Sequence, residues 1–244
     1  MFKFIMLSFL ISQAAYGLNY TEYLEVKVAL EKTFLELRPS DKHKIIINMP
    51  VGDDPYYWWN LDYPRASYSG LETDNGIVHH VFLFGGYIRL PYMTKDLLAN
   101  TGCHEIAHGL GGYPFKSNGS SMEPQADYWA TKECLALTFK YISEVKSDID
   151  YYAKILCDMF SVDQKLCYRM MTAIAPENDF FEQSENESVR YDDFAREHAV
   201  DLNDDPLYYP SAQCRFDSMI HGILDLERPL CWYPNGRERI LINE

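Results

Sequence analysis

The chain has 244 residues, with 22 Lys and Arg against 36 Asp and Glu, a formal charge of −14. A nucleic-acid binder needs a basic surplus or a basic stripe to hold phosphates, and this chain has neither. Its 47% hydrophobic, 15% aromatic and 24% charged residues describe a globular protein with a substantial core, which excludes the disordered and fibrous classes.

Met1-Phe2-Lys3, the apolar run Phe4 to Ile11 and the small residues Ala15 and Gly17 read as a secretory signal peptide over 1–17. The run is too short to span a bilayer, and no later segment is apolar enough to do so. Residues 18–244 then read as one domain of a soluble, monomeric protein that is secreted or periplasmic. Tyr20 to Leu37 places Leu24, Val28, Leu30, Phe34, Leu35 and Leu37 near helical periodicity, and Pro39-Ser40-Asp41 ends it. Lys44 to Met49 reads as a buried strand. Tyr56 to Trp59, and Ile77 to Phe84 resuming after Gly85-Gly86 as Tyr87 to Leu90, are β-branched and aromatic and read as further strands.

From Thr94 the pattern turns helical: Lys95 to Leu110, Pro124 to Lys146, and Ile149 to about Ala175 with a break near Ser161. The acidic, loop-rich stretch 176–210 reads as a surface excursion with one helix at Tyr191 to Ala199. Strands first and helices after indicate an α+β fold, a small N-terminal sheet followed by a mainly helical part. Six cysteines in an exported chain predict three disulfides that stabilise that part. Sequence proximity favours Cys157 with Cys167 and Cys214 with Cys231, leaving Cys103 with Cys134. The last pair would tie two predicted helices together.

The residues that carry chemistry begin at His104-Glu105-Ile106-Ala107-His108. Two histidines four apart on a helix share a face, so both imidazoles can reach one metal ion, and the Glu between them sits where it can take a proton from an activated water. A catalytic zinc normally has three protein ligands and one open position. The metzincin pattern would place its third ligand at 114, where this chain has Pro114, so that pattern is excluded. The next candidate is Glu123-Pro124-Gln125-Ala126-Asp127, opening a second helix that Ser120 or Ser121 would cap. Glu123 would complete the zinc site, and Asp127, one turn on, would accept a hydrogen bond from a ligand histidine.

The pattern His104-Glu105-x-x-His108 followed by Glu123-x-x-Ala126-Asp127 resembles the zinc signature of gluzincin metallopeptidases. Its second half is most similar to that of prenyl-protein (CAAX) endopeptidase-like and HtpX-like enzymes. The resemblance spans residues 104–127 and implies a zincin-like fold, one zinc ion on His104, His108 and Glu123, Glu105 as catalytic base, and a peptide or protein substrate.

An oxyanion donor is sought in Arg215 and His221, on the helix expected after Ser211, with Asp217 orienting His221. His79 and His80 point to opposite faces of a strand and cannot share a metal. Val81 to Arg89 is the expected edge strand for substrate, and the aromatic residues between Tyr56 and Tyr68 are candidate cleft walls. The alternative function is an exported zincin-like binding protein without catalysis. Glu105 favours the enzyme, because a structural zinc site would close all four positions with ligands.

Overall fold

The computed structural model describes residues 17–143, 148–197 and 209–232; apart from Gly17, the expected signal segment lies outside them. Helix α1 (Tyr20–Leu37) starts at a reciprocal cap. Asn19 accepts from the Glu22 amide at 3.0 Å, and the Glu22 carboxylate accepts from the Asn19 amide at 2.9 Å. Its limits match the sequence expectation, but its buried stripe is Tyr23, Val26, Ala29, Leu30, Thr33 and Phe34. Leu24, Val28 and Leu35 are exposed, because they lie on nearly the opposite face of the helix, about 160° from the centre of the stripe.

Strand β1 (His43–Ile47) is followed by the short helix α2 (Tyr57–Asn60), strands β2 (Ala66–Thr73) and β3 (Gly76–Leu83), and the short helix α3 (Gly85–Ile88). The sheet order is β1-β3-β2, with β1 parallel and β2 antiparallel to β3; Ile45 and Gly70 both lie opposite His79, and Tyr68 lies opposite Val81. The structure corrects the sequence reading at three places. Tyr57 to Trp59 are helical, anchored by the Trp58 indole donating to the Met49 carbonyl at 2.7 Å, so packing overrides strand propensity. Gly85 to Ile88 turn into a helix against the Trp59 backbone. Strand β2, whose Ser-rich, largely exposed sequence carries little apolar signal, lies at the edge of the sheet.

Helix α4 (Lys95–Leu110), capped by Thr94 accepting from the Leu97 amide at 3.0 Å, is buried on nearly every side. Leu30 of α1 packs on Gly102, and Asp96 receives a two-pronged contact from Arg169, with both bonds at 2.8 Å. At Gly109 a Cβ would lie 2.4 Å from both the Tyr68 hydroxyl and His79 Nδ1, so this glycine lets the helix rest directly on the sheet.

The single helix expected over Pro124 to Lys146 is instead α5 (Glu123–Trp129), a π turn (Ala130–Cys134) and α6 (Leu135–Thr138). The π turn forms where α10 (Ala212–Ile223) packs closest: a Cβ on Gly222 would lie 2.1 Å from Thr131 Oγ1 and 2.5 Å from the Tyr128 carbonyl. Between them come α7 (Tyr151–Phe160), α8 (Gln164–Ile174) and α9 (Glu177–Glu185). Helix α9 corrects the reading of 176–210 as a surface excursion, since Glu177 and Phe181 are buried. Tyr191 to Glu197 form turn and loop rather than the start of a helix; residues 198 and 199 lie outside the described residues.

One buried cluster joins α1, the sheet and α4, and a second joins α7, α8, α9 and α10. The disulfides are Cys103–Cys134, Cys157–Cys167 and Cys214–Cys231, the pairing that sequence proximity favours. Three disulfides fit an oxidising compartment. No helix among the described residues is long and apolar enough to cross a membrane.

The Cys103–Cys134 bridge closes a loop of 31 residues. Replacing both cysteines by alanine is expected to lower unfolding free energy by about 3 to 4 kcal/mol, measured by denaturant titration; an unchanged midpoint would refute that role. His79 supplies a second test. It is 1% exposed and held down to about 4 by burial and by the neighbouring His43 and His80, below its ordinary 6.5. Its neutral form therefore stabilises the fold above pH 6.5, and that contribution, roughly 3 kcal/mol in full, is lost as pH falls toward 4. Stability should decline across this window, and the decline should flatten in His79→Gln.

Candidate metal centre

His104 and His108 project from one face of α4, their rings 4.6 Å apart between centroids, and Glu123 enters from the first turn of α5. Glu123 Oε2 lies 3.0 Å from His104 Nε2 and 3.6 Å from His108 Nε2. This His104, His108, Glu123 group can hold a metal ion.

The groups behind the three donors fix how they are presented. The His108 Nδ1 lies 2.9 Å from the Ser121 carbonyl, which can only accept, so Nδ1 carries the proton. Burial, reinforced by the His104 charge, pushes the His108 pKa down to about 3, so the ring is neutral and Nε2 presents a lone pair. That lone pair faces a carboxylate oxygen, and two acceptors at this separation are the arrangement a cation completes. The Ser121 amide also donates to the His108 carbonyl at 2.9 Å, so Ser121 grips His108 at two points. Ser121 therefore does not cap α5. The residue before the helix is Met122, no side chain caps it, and the Ser121 hydroxyl donates to the Gly112 carbonyl.

His104 Nδ1 lies 2.7 Å from Asp127 Oδ1. Burial opposes charge on His104, but Asp127 and Glu123 outweigh it and raise the ring to about 10. Asp127 is itself fully buried, and burial alone would raise its carboxyl. Arg215 and His104 instead hold it below the usual range. Burial likewise works against the Glu123 carboxylate, and His104 with Arg215 keeps it far below its ordinary value. Lys116 forms an ion pair with Glu123 Oε1, leaving Oε2 as the oxygen that faces the histidines.

These groups line a cleft of about 370 Å³ that also includes Glu105, Tyr68, Glu177 and Tyr209. Glu105 is 6% exposed; burial, with Glu123 nearby, raises its carboxyl to about 7. The residues expected to stabilise an oxyanion are placed differently. Arg215 reaches the cleft, but its guanidinium grips Asp127 through Nε at 2.8 Å and Nη2 at 3.1 Å, and its Nη1 donates to the Tyr209 hydroxyl at 2.6 Å. It acts on the site through Asp127 and, with Nη2 3.7 Å from Oε2, through Glu123. His221 does not line the cleft: its Nδ1 faces the Glu227 carbonyl. Arg215 and Met219, four apart on α10, share the cleft face, and His221 falls on another side of the helix. Asp217 accepts from the Ala195 amide and Gln213, each at 2.8 Å, rather than orienting His221.

The edge strand beside the cleft is β2, not the stretch from Val81 to Arg89, because β3 is the central strand and α3 follows it. Pro64 to Tyr68 line the cleft, so of the expected aromatic wall only Tyr68 takes part. Its hydroxyl lies 2.8 Å from His79 Nδ1, and His79 Nε2 lies 3.0 Å from His43 Nδ1, so His79 belongs to a hydrogen-bonded chain behind the site. The sequence reading missed Lys116, Tyr209, Asn100 and Glu177. Asn100 alone carried a local signal, one turn before His104 on the same face of α4. Compared with protein-family models, with curated proteins and with solved structures, the chain matches none.

The purified protein is expected to bind one equivalent of a divalent transition metal. His104→Ala and Glu123→Ala should each abolish stoichiometric binding, while Asp127→Asn should weaken it about 10- to 100-fold. Competition against a chromogenic chelator measures all three, and a wild-type protein that takes up no metal would rule out the centre.

Proposed function

We propose that the chain is an exported zinc metallopeptidase of gluzincin type on a zincin-like scaffold. The observation that carries this reading is the convergence of His104 Nε2, His108 Nε2 and Glu123 Oε2 in a cleft that also holds Glu105. Zinc fits this donor set: with bonds of about 2.0 to 2.2 Å, a tetrahedral zinc separates its ligand atoms by roughly 3.3 to 3.6 Å. The 3.6 Å separation here lies at the upper end of that range and the 3.0 Å one a few tenths of an ångström below it. The cysteines also favour export, since all six are paired.

When bound, zinc supplies Lewis acidity, polarising a carbonyl and lowering the pKa of water to about 7. With a metal held by His104, His108 and Glu123, Glu105 would take a proton from the attacking water and pass it to the leaving amine. Tyr209 supplies the further donor. Its hydroxyl oxygen accepts from Arg215, so its own proton is free to reach into the cleft toward a developing oxyanion. Arg215 positions both Tyr209 and Asp127. Strand β2 pairs with β3 along one edge, and its other edge borders the cleft mouth, a place for an extended peptide to add by backbone hydrogen bonds.

Glu105→Gln is expected to keep its zinc and its fold while losing about 10²- to 10⁴-fold in kcat/KM on a peptide substrate. Zinc content, circular dichroism and hydrolysis of a fluorogenic peptide library check the three parts. A zinc-loaded wild type that cleaves no peptide would favour a zincin-like binding protein instead.

A further inference from the structure

Beyond the metal ligands the cleft continues to a wall formed by Asn100, Thr101, Tyr87, Glu177, Phe180 and Met219. Asn100 is 1% exposed. Its Nδ2 donates to Glu177 Oε1 at 3.1 Å, and its Oδ1 has no hydrogen-bond partner among the described residues. Glu177 is 6% exposed and takes part in no ion pair among those residues. The nearby cations are already engaged: Arg215 with Asp127, Lys116 with Glu123, and Arg169 with Asp96. The nearby hydroxyls are engaged as well, Thr101 donating to the Leu97 carbonyl and Tyr87 lying 2.9 Å from Thr101 Oγ1.

This end of the cleft therefore holds an amide oxygen with no donor facing it, beside a carboxylate whose donor among the described residues is the neutral Asn100 amide rather than a cation. Unpaired buried acceptors are costly, and here burial, with Asp127 adding to it, raises the Glu177 carboxyl to about 7. Position in the first turn of α9 eases a negative charge on Glu177 but supplies nothing to Asn100 Oδ1. The other walls, Tyr87, Phe180 and Met219, suit an alkyl stem.

We propose that this pocket is the specificity subsite of the peptidase and takes the cationic head of a lysine or arginine side chain flanking the scissile bond. Glu177 supplies the countercharge and Asn100 Oδ1 accepts a hydrogen bond from the same head. The inference rests on the peptidase reading for its context but not for its test.

The zinc-loaded wild type is assayed with end-blocked peptides that differ at one position: lysine, arginine, or norleucine, which keeps the stem and lacks the charge. Lysine and arginine peptides should be cleaved at least about tenfold better than norleucine, and Glu177→Gln should erase the difference while retaining zinc. Equal cleavage of the three by the wild type overturns the subsite and leaves the peptidase reading intact. Cleavage restricted to peptides with a free amino terminus overturns it too, assigning the pocket to the α-ammonium group. If no peptide is cleaved, calorimetric binding of Nα-acetyl-lysine methylamide against its norleucine analogue decides: tighter binding of the lysine compound upholds the subsite although the peptidase reading fails, and equal or absent binding rejects both. The wild-type comparisons hold even if the Glu177 variant misfolds.

Discussion

The site is organised by one fully buried carboxylate. Asp127 accepts from Arg215 on α10 through a two-pronged contact and faces the second ring nitrogen of His104 on α4, so three helices meet at its two oxygens. A buried carboxylate without such partners would protonate or draw in water. With them it fixes the His104 ring orientation and aims Nε2 into the cleft. Removing either partner would leave a charge buried and uncompensated, which costs far more than an exposed ion pair is worth. The arrangement thus constrains the relative placement of α4, α5 and α10 more tightly than apolar packing alone would.

Much of the surrounding architecture serves that placement. Gly222 lets α10 approach α5 until Thr131 reaches the Met219 carbonyl at 3.0 Å, and the π turn forms at that contact. The Cys103–Cys134 bridge then ties the far end of the turn to α4, one residue before His104. On the opposite side Gly109 seats α4 on the sheet, bringing Tyr68 beside His108. His108 depends on the backbone of Ser121, whose own hydroxyl holds the loop between α4 and α5 through the Gly112 carbonyl.

How much of this could be read in the sequence depended on whether the determining contacts were local. Helices α1 and α4 have their predicted limits because Asn19 with Glu22, and Thr94, cap them within three residues. The metal ligands lay within 104–127, where helical spacing and one short loop fix their meeting. Strand β2 was missed because an exposed edge strand needs no apolar alternation, and α2 was misread because the contacts that make it helical come from Met49 and Arg89, distant in the chain. Arg215 was placed in the site but given the wrong task, since only the fold reveals that Asp127 already occupies its guanidinium. Glu177 was hidden by its surroundings: an acidic, polar segment reads as surface, and the burial of its first turn is imposed by α4 and α10.

The chain's surplus of acidic residues bears on the site from outside. An acidic surface raises the local concentration of cations over a long range, weakening within about 10 Å at moderate salt. Within the cleft the short-range balance differs, because Lys116 and Arg215 cover Glu123 and Asp127 and leave Glu177 as a carboxylate without an ion-pair partner among the described residues. A cationic side chain would thus be drawn by the diffuse field of the surface and held by one localised charge. The two effects separate experimentally, since salt screens the first and leaves the buried contact largely untouched. Such a division would let a strongly acidic protein discriminate among basic ligands, the surface setting how often they arrive and the pocket beside the candidate metal centre setting which of them stay.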